Sequence, residues 1–128
     1  MISRRCITIF MVFWAVFSAF PKAEAAQSVC SQELQRGTAS WYGPRFEGKL
    51  TKSEEVYDPE GYTAAHRKLP FGTMLKVVNN NNNRVVYVRV NDRGAFKSHA
   101  IDLSKGAARQ LGMIHDGVAP VTIFKCGK

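Results

Sequence analysis

Little in this sequence could hold a metal ion. His66, His99 and His115 stand far apart and the cysteines lie elsewhere, so no spacing forms a ligand cluster. No glycine-rich phosphate loop is present, and no serine stands in a nucleophile elbow. Long helical periods, internal repeats and a second domain are also lacking. These absences exclude metal-dependent, nucleotide-dependent and serine-hydrolase chemistry, and the chain is expected to need no cofactor. Acidic residues are scarce as well: ten Asp and Glu face eighteen Lys and Arg, for a net charge of +8. In the cytoplasm that balance would suggest nucleic acid.

The start of the chain argues for export instead, and so against nucleic acid. Met1–Arg5 is basic, Ile7–Phe20 is almost unbroken apolar sequence, and Pro21-Lys22 ends it. Ala23-Glu24-Ala25 supplies the small-x-small pattern of a signal-peptidase site, so residues 1–25 read as a signal peptide. An uncleaved anchor is the alternative, but the run is short for a bilayer helix, which needs about 20 apolar residues. Gln27-Ser28-Val29 before Cys30 is not a lipobox. The mature protein is therefore expected in the periplasm or outside the cell, as a monomer with no membrane anchor. Cys6 leaves with the leader. Cys30 and Cys126 remain near the two ends and are expected to form a disulfide, two free thiols being the alternative. Basic charge outside the cell points to an acidic partner such as a wall polymer.

Residues 26–35 are polar and read as a loosely held arm; residues 36–126 read as one domain. "GTASWYG" has the texture of a short strand ending at Gly43-Pro44. A long stretch follows, punctuated by Gly48, Pro59, Gly61, Pro70 and Gly72, with a single helical turn expected at Ala64-Ala65-His66. Long ordered loops in small domains tend to carry function. "TMLKVV" and "RVVYVRVN" alternate as strands around Asn79–Asn83, and asparagine tolerates the left-handed backbone of a tight hairpin. Ser104 is a good helix N-cap, Ala107, Ala108 and Leu111 share a helical face, and Gly112 supplies a stop. "VAPVTIFK" closes the chain as a strand. Short strands, one helix and many glycines suggest a small, mainly β barrel.

Among the carboxylates Asp92 stands out. Val86, Val88 and Val90 share one face of their strand, so strict alternation makes Asp92 the next inward position. Partial burial there would favour the protonated acid, while Arg89, Arg93 or a protonated His66 would favour the anion. A group balanced in this way can serve as a general acid/base. The plain alternative is a turn, with Asp92 bonding backbone N–H groups. Glu54 and Glu55 lie in the long loop and also read as a solvated acidic patch. Trp41-Tyr42 is either core or a platform for sugar rings. Asp102 is expected to satisfy free N–H groups at a strand-to-helix junction.

Taken together, "GTASWYGPRFEGKLT", "TAAHRKLPFGTMLKVVN", "VVYVRVNDRGAF" and "IDLSKGAARQLGM" resemble, in order, the motifs of the rare lipoprotein A family. The resemblance covers about Arg36 to Phe124. It implies a six-stranded double-psi β-barrel, similar to barwin and expansins, with one or two short helices. It implies action on peptidoglycan glycan strands as an endolytic lytic transglycosylase that prefers strands without stem peptides and leaves 1,6-anhydro-N-acetylmuramic acid ends. Its catalytic aspartate falls on Asp92, its accompanying glutamate on Glu55 and its histidine on His66. Trp41 and Tyr42 would line the groove, and Asn91 and Arg93 would contact substrate. Two departures stand out: Glu54 occupies a family glycine position, so a changed loop path is expected, and Ala95 replaces a proline. Many members carry a C-terminal septal glycan-binding domain and a lipid anchor; neither is read here, so septal targeting is not expected to carry over. Two further readings stay open: a non-catalytic, expansin-like glycan-binding module, and a secreted inhibitor using the barrel as a scaffold.

Overall fold

Alternation of apolar residues places the core. In β3 (Met74–Asn79) Leu75 and Val77 are buried, and in β4 (Val85–Asp92) Val86, Val88 and Val90 are buried. The two strands pair antiparallel, Leu75 opposite Val88 and Val77 opposite Val86, so both rows face one interior. The structure, a computed structural model, describes residues 29–43, 46–94 and 98–127. The expected leader at residues 1–25, the first part of the arm, Pro44 and Ala95 lie outside the described residues.

The remaining strands are β1 (Gln32–Trp41), β2 (Thr63–Ala65), β5 (Ile101–Leu103) and β6 (Val118–Lys125). They close into a barrel in the order β1-β5-β2-β4-β3-β6. The β1–β5 and β2–β4 pairs are parallel and the other four are antiparallel. Ala39, Ala64, Ile101, Leu103, Val121 and Ile123 complete the interior. Burying each large aliphatic side chain stabilises by about 1.5–3 kcal/mol. Small alanines on β1 and β2 let the strands close around them. The helical turn expected at Ala64-Ala65-His66 is instead strand β2, because β4 and β5 on either side supply backbone partners.

Among the described residues a single α-helix, α1 (Lys105–Gln110), seals one side with Ala107 and Ala108, and Leu111 follows them into the core. Ser104 caps it: its Oγ accepts from the Ala107 N–H at 3.3 Å and donates to the Gly61 carbonyl at 2.5 Å. Asp102, expected at this junction, lies on β5 instead. No helix among the described residues is long and apolar enough to cross a membrane.

The asparagine run does more than turn a hairpin. Asn83 takes the left-handed conformation at φ 61°. Asn79 and Asn82 each donate Nδ2 to the Leu111 carbonyl at 2.9 Å, which satisfies an acceptor at the open end of α1. Gly112 permits this contact, since a Cβ there would sit 2.7 Å from Arg84 Nη1 and 3.1 Å from Asn82 Nδ2.

Cys30 and Cys126 form a disulfide across 96 residues of sequence. In the chain-entropy account such closure stabilises by about 4–5 kcal/mol. It secures β1, which begins at Gln32, within the segment read as an arm, because β6 offers a full antiparallel ladder from Lys125 onward.

Between β1 and β2 the turn Thr51–Glu55 holds Glu54 at φ 70°, a left-handed value. The Thr51 N–H donates to the Glu55 carbonyl at 2.8 Å and the Glu54 N–H to the Thr51 carbonyl at 3.0 Å. The backbone thus adopts a glycine-like conformation with a glutamate in place, at a cost of about 1–2 kcal/mol.

Two stability outcomes are expected. Asn79→Ala removes a buried donor and the acceptor of the Asn81 N–H, and should cost about 1–3 kcal/mol in urea melts. The exposed Asn82→Ala should cost less, about 0.5–1.5 kcal/mol. Glu54→Gly should raise stability by about 0.5–1 kcal/mol in the same assay, the relief of backbone strain exceeding the extra chain entropy of glycine. A destabilised Glu54→Gly would show that the left-handed turn is not strained.

Candidate active site

The site begins with a register shift. On β2, Ala64 pairs with Val90 of β4, but Ala65 pairs with Asp92. Asn91 is therefore one residue too many, a bulge in the β4 side of the ladder. Val90, Ala64 and Leu103 form a buried row across β4, β2 and β5. Their neighbours Asp92, Ala65 and Asp102 form the next row, on the opposite face, and Ser40 of β1 extends it. Strict alternation would have sent Asp92 inward. The bulge turns it out of the core, and Asn91 becomes buried instead, at 2 % exposure.

Three donors meet the Asp92 carboxylate. The Tyr42 hydroxyl donates to Oδ2 at 3.0 Å; the Lys52 and Arg93 backbone N–H groups donate to Oδ1 at 2.9 and 2.8 Å. Tyr42 comes from the end of β1, with β5 and β2 between it and β4. Burial raises its pKa first, and the neighbouring Asp92 carboxylate adds to this, so the phenol stays protonated as a donor.

Glu55 is held differently. Arg89 forks onto it, Nη1 to Oε1 at 2.7 Å and Nη2 to Oε2 at 2.8 Å, and Asn91 Nδ2 donates to Oε2 at 3.2 Å. These bonds, Arg89 first and Asn91 second, lower the carboxyl to about 2. Glu55 is a fixed anion at neutral pH and has no proton to give. Glu54, before it, holds a left-handed backbone of the kind that glycine adopts readily.

His66 was weighed as a protonated neighbour of Asp92. Its Nδ1 accepts from the Lys68 and Leu69 N–H groups at 3.1 and 3.2 Å, which a protonated nitrogen could not do. Nε2 lies 3.3 Å from Gln35 Oε1 and carries the proton. Desolvation first, then Arg67, Arg93 and Lys68, lower its pKa, so the ring is neutral. It meets Asp92 through the main chain, the His66 N–H donating to the Asp92 carbonyl at 3.1 Å. Arg93 folds back: Nη1 donates to the Leu69 and His66 carbonyls at 2.7 and 3.2 Å, and its plane lies 4.2 Å over the Phe71 ring.

The structure thus gathers Asp92, Tyr42, Asn91, Glu55, His66 and Arg93 at the end of β4. Trp41 stands apart. It packs against the core and, with Tyr42, Tyr57, Pro59 and Lys105, lines a cleft of about 240 Å³ that Asp92 does not line. Tyr57 meets Tyr42 edge to face at 4.9 Å. Among the described residues no group of three or more His, Cys, Asp or Glu could hold a metal.

Asp102 was read as a helix-junction residue and is a second carboxylate of the outward row. It accepts from Ser40 Oγ, and His99 Nδ1 lies 3.8 Å away. Ile101 and Leu103 point inward on β5, so the residue between them points out.

Comparison with known proteins places this geometry. The chain is 58 % identical over 96 residues to the endolytic peptidoglycan transglycosylase RlpA of Campylobacter jejuni, covering 74 % of this chain and 35 % of that protein. It is 40 % identical over 126 residues to a probable endolytic peptidoglycan transglycosylase RlpA of Treponema pallidum, covering 98 % and 37 %. The chain spans about a third of the length of these curated relatives. Among solved structures it resembles the Streptomyces papain inhibitor, with a TM-score of 0.59 at 20 % identity over 77 % of this chain and 97 % of that one. A Clavibacter michiganensis expansin mutant in complex with cellohexaose matches with a TM-score of 0.56 at 20 % identity, over 70 % and 48 %. These two likenesses show the fold, a closed six-stranded double-psi β-barrel. The lytic transglycolase family model matches residues 34–123, through every strand of the barrel and every residue gathered around Asp92, and the chain belongs to the lytic transglycolase family.

Proposed function

We propose that the chain is an exported lytic transglycosylase that cleaves peptidoglycan glycan strands, preferentially those stripped of stem peptides, with Asp92 as the acid/base. The carrying observation is the outward carboxylate of Asp92, fixed by the Tyr42 hydroxyl and the Lys52 and Arg93 amides. The names of the relatives, endolytic peptidoglycan transglycosylases, support the reaction type.

The chemistry needs one such group. Asp92 protonates the glycosidic oxygen as the bond from that oxygen to C1 of N-acetylmuramic acid breaks. The same carboxylate then takes the proton of the C6 hydroxyl as O6 bonds to C1 and closes the 1,6-anhydro ring. The proton gained equals the proton lost, and no water attacks. The two-carboxylate spacing of ordinary glycosidases therefore sets no requirement here. Glu55 and His66 support Asp92, Glu55 through the turn it anchors and His66 through its main-chain bond. Trp41 and Tyr42 wall the adjacent cleft, where aromatic faces suit the C–H faces of sugars. Arg93 holds the rim beside the carboxylate, where a basic residue suits lactyl carboxylates, while Asn91, expected to contact substrate, is buried and bonds Glu55 instead. Action on peptidoglycan places the working protein outside the cytoplasm.

Purified chain incubated with isolated glycan strands should release products ending in 1,6-anhydromuramic acid, lighter by one water than hydrolytic ends. Ordinary reducing ends would make it a hydrolase. Asp92→Asn keeps the shape but removes the exchangeable proton; turnover should fall about 10²–10⁴-fold, with glycan binding retained. Glycan binding by both forms with no cleavage by either supports the expansin-like module instead. Tyr42→Phe deletes one donor to a charged acceptor and should lower kcat about ten- to a hundredfold, with KM little changed. Undiminished cleavage by Asp92→Asn would return Asp92 to a turn residue.

A further inference from the structure

We infer that Arg89 is a positioning residue for Asp92: its fork onto Glu55 fixes the turn Thr51–Glu55, and that turn delivers the Lys52 N–H to the Asp92 carboxylate. The inference rests on the transglycosylase reading and assigns Glu55 to the scaffold rather than to the sugar.

The turn touches β4 at three places. Lys52 N–H meets Asp92 Oδ1 at 2.9 Å, Ser53 N–H meets the Asn91 carbonyl at 3.3 Å, and Glu55 meets Arg89 and Asn91. The first two are single neutral donors at an exposed edge. The third is a charged, planar, two-point contact, which fixes orientation as well as distance. Arg89 reaches it because β4 is locked on both sides, Arg89 standing opposite Thr63 of β2 and Met74 of β3. Residues 89 and 91 flank buried Val90, and both side chains converge on Glu55.

Both Glu55 oxygens are occupied by donors from β4. A carboxylate bound in this way has little left to offer a sugar hydroxyl. What it controls is the turn, whose ends are closed by the Thr51 N–H bond to the Glu55 carbonyl. Moving Glu55 moves Lys52. The pair is part-exposed, 39 % for Arg89 and 42 % for Glu55, so its loss should leave the barrel folded. Lysine cannot replace the fork, because it offers one point charge instead of two coplanar donors.

The charged and titratable groups around Asp92 set how the effect is read. Tyr42 meets it from just past β1 and Lys52 from the turn that also carries Glu55, His66 meets it through the main chain just after β2, and Asp102 stands on β5 across Ala65. Arg89 lies on its own strand and Arg93 follows that strand directly. Of these, Arg89→Lys should alter only the turn.

The test uses the purified chain with Arg89→Lys, Glu55→Gln and the charge swap Glu55→Arg/Arg89→Glu. Arg89→Lys should lower kcat on glycan strands about tenfold through misorientation of the carboxyl, leave KM within about twofold, and move the alkaline limb of the pH–rate profile upward, since Asp92 begins the cycle protonated and loses an amide that favours its charged form. The melting temperature should hold within a few degrees. The swap should recover at least about fivefold over Glu55→Gln. Carbon NMR of the Asp92 carboxyl gives a readout without turnover: it should titrate at higher pH in Arg89→Lys than in the parent. A folded swap no more active than Glu55→Gln, with unmoved pH profiles, would overturn the inference and place Glu55 on the substrate. A large drop in melting temperature with unchanged Asp92 titration would reduce Arg89 to a structural role. If the parent chain cleaves nothing, the transglycosylase reading fails, and the NMR titration alone decides whether Arg89 positions Asp92.

Discussion

The site depends on one backbone constraint: between Val90 and Asp92, β4 holds one residue more than β2 can pair. The barrel is closed, so the surplus cannot be relieved by sliding a strand, because every strand has neighbours on both sides. The extra residue, Asn91, is absorbed locally. Asp92 leaves the core and meets solvent-side donors, while Asn91 is buried and bonds Glu55. A single insertion thus converts a core position into a chemical one and supplies the anchor for the turn that covers it.

The surrounding groups divide their work by protonation state. Arg89 holds Glu55 as an anion, burial and Asp92 hold Tyr42 as a phenol, and two backbone amides hold His66 as a neutral acceptor. None of the three is poised to exchange a proton near neutral pH. Asp92, with donors on both oxygens, faces the outward row beside them, and this is why the proposed reaction is assigned to it. The second carboxylate of the row, Asp102, is tied to Ser40 across β5 and β1.

Much of the barrel was legible because alternation is a strong signal where strands are long. β3, β4, β6 and the Ser104 cap follow from residue spacing, and the two cysteines imply the disulfide found at the barrel's ends. β2 and β5 were not legible, since three residues carry no usable period, and Ala64-Ala65 favours helix until β4 and β5 flank it. The Asn91 bulge was hidden because parity counts residues and takes no account of which partner is missing. His66 was misjudged as a charge because only the fold shows two amides pointing at Nδ1. The left-handed backbone at Glu54 was not legible either: its side chain disfavours that conformation, and the closed turn imposes it.

The joined ends of the barrel carry a different implication. Cys30 is bonded to Cys126, and the Gly127 N–H donates to the Val29 carbonyl at 3.2 Å. The polypeptide therefore enters and leaves at one point, with almost no distance gained in between. Domains with adjacent ends can be set into a host loop without stretching it. To a longer polypeptide this barrel would be a graft rather than a spacer: a self-contained cartridge, crosslinked at its own neck, that adds a surface without adding reach.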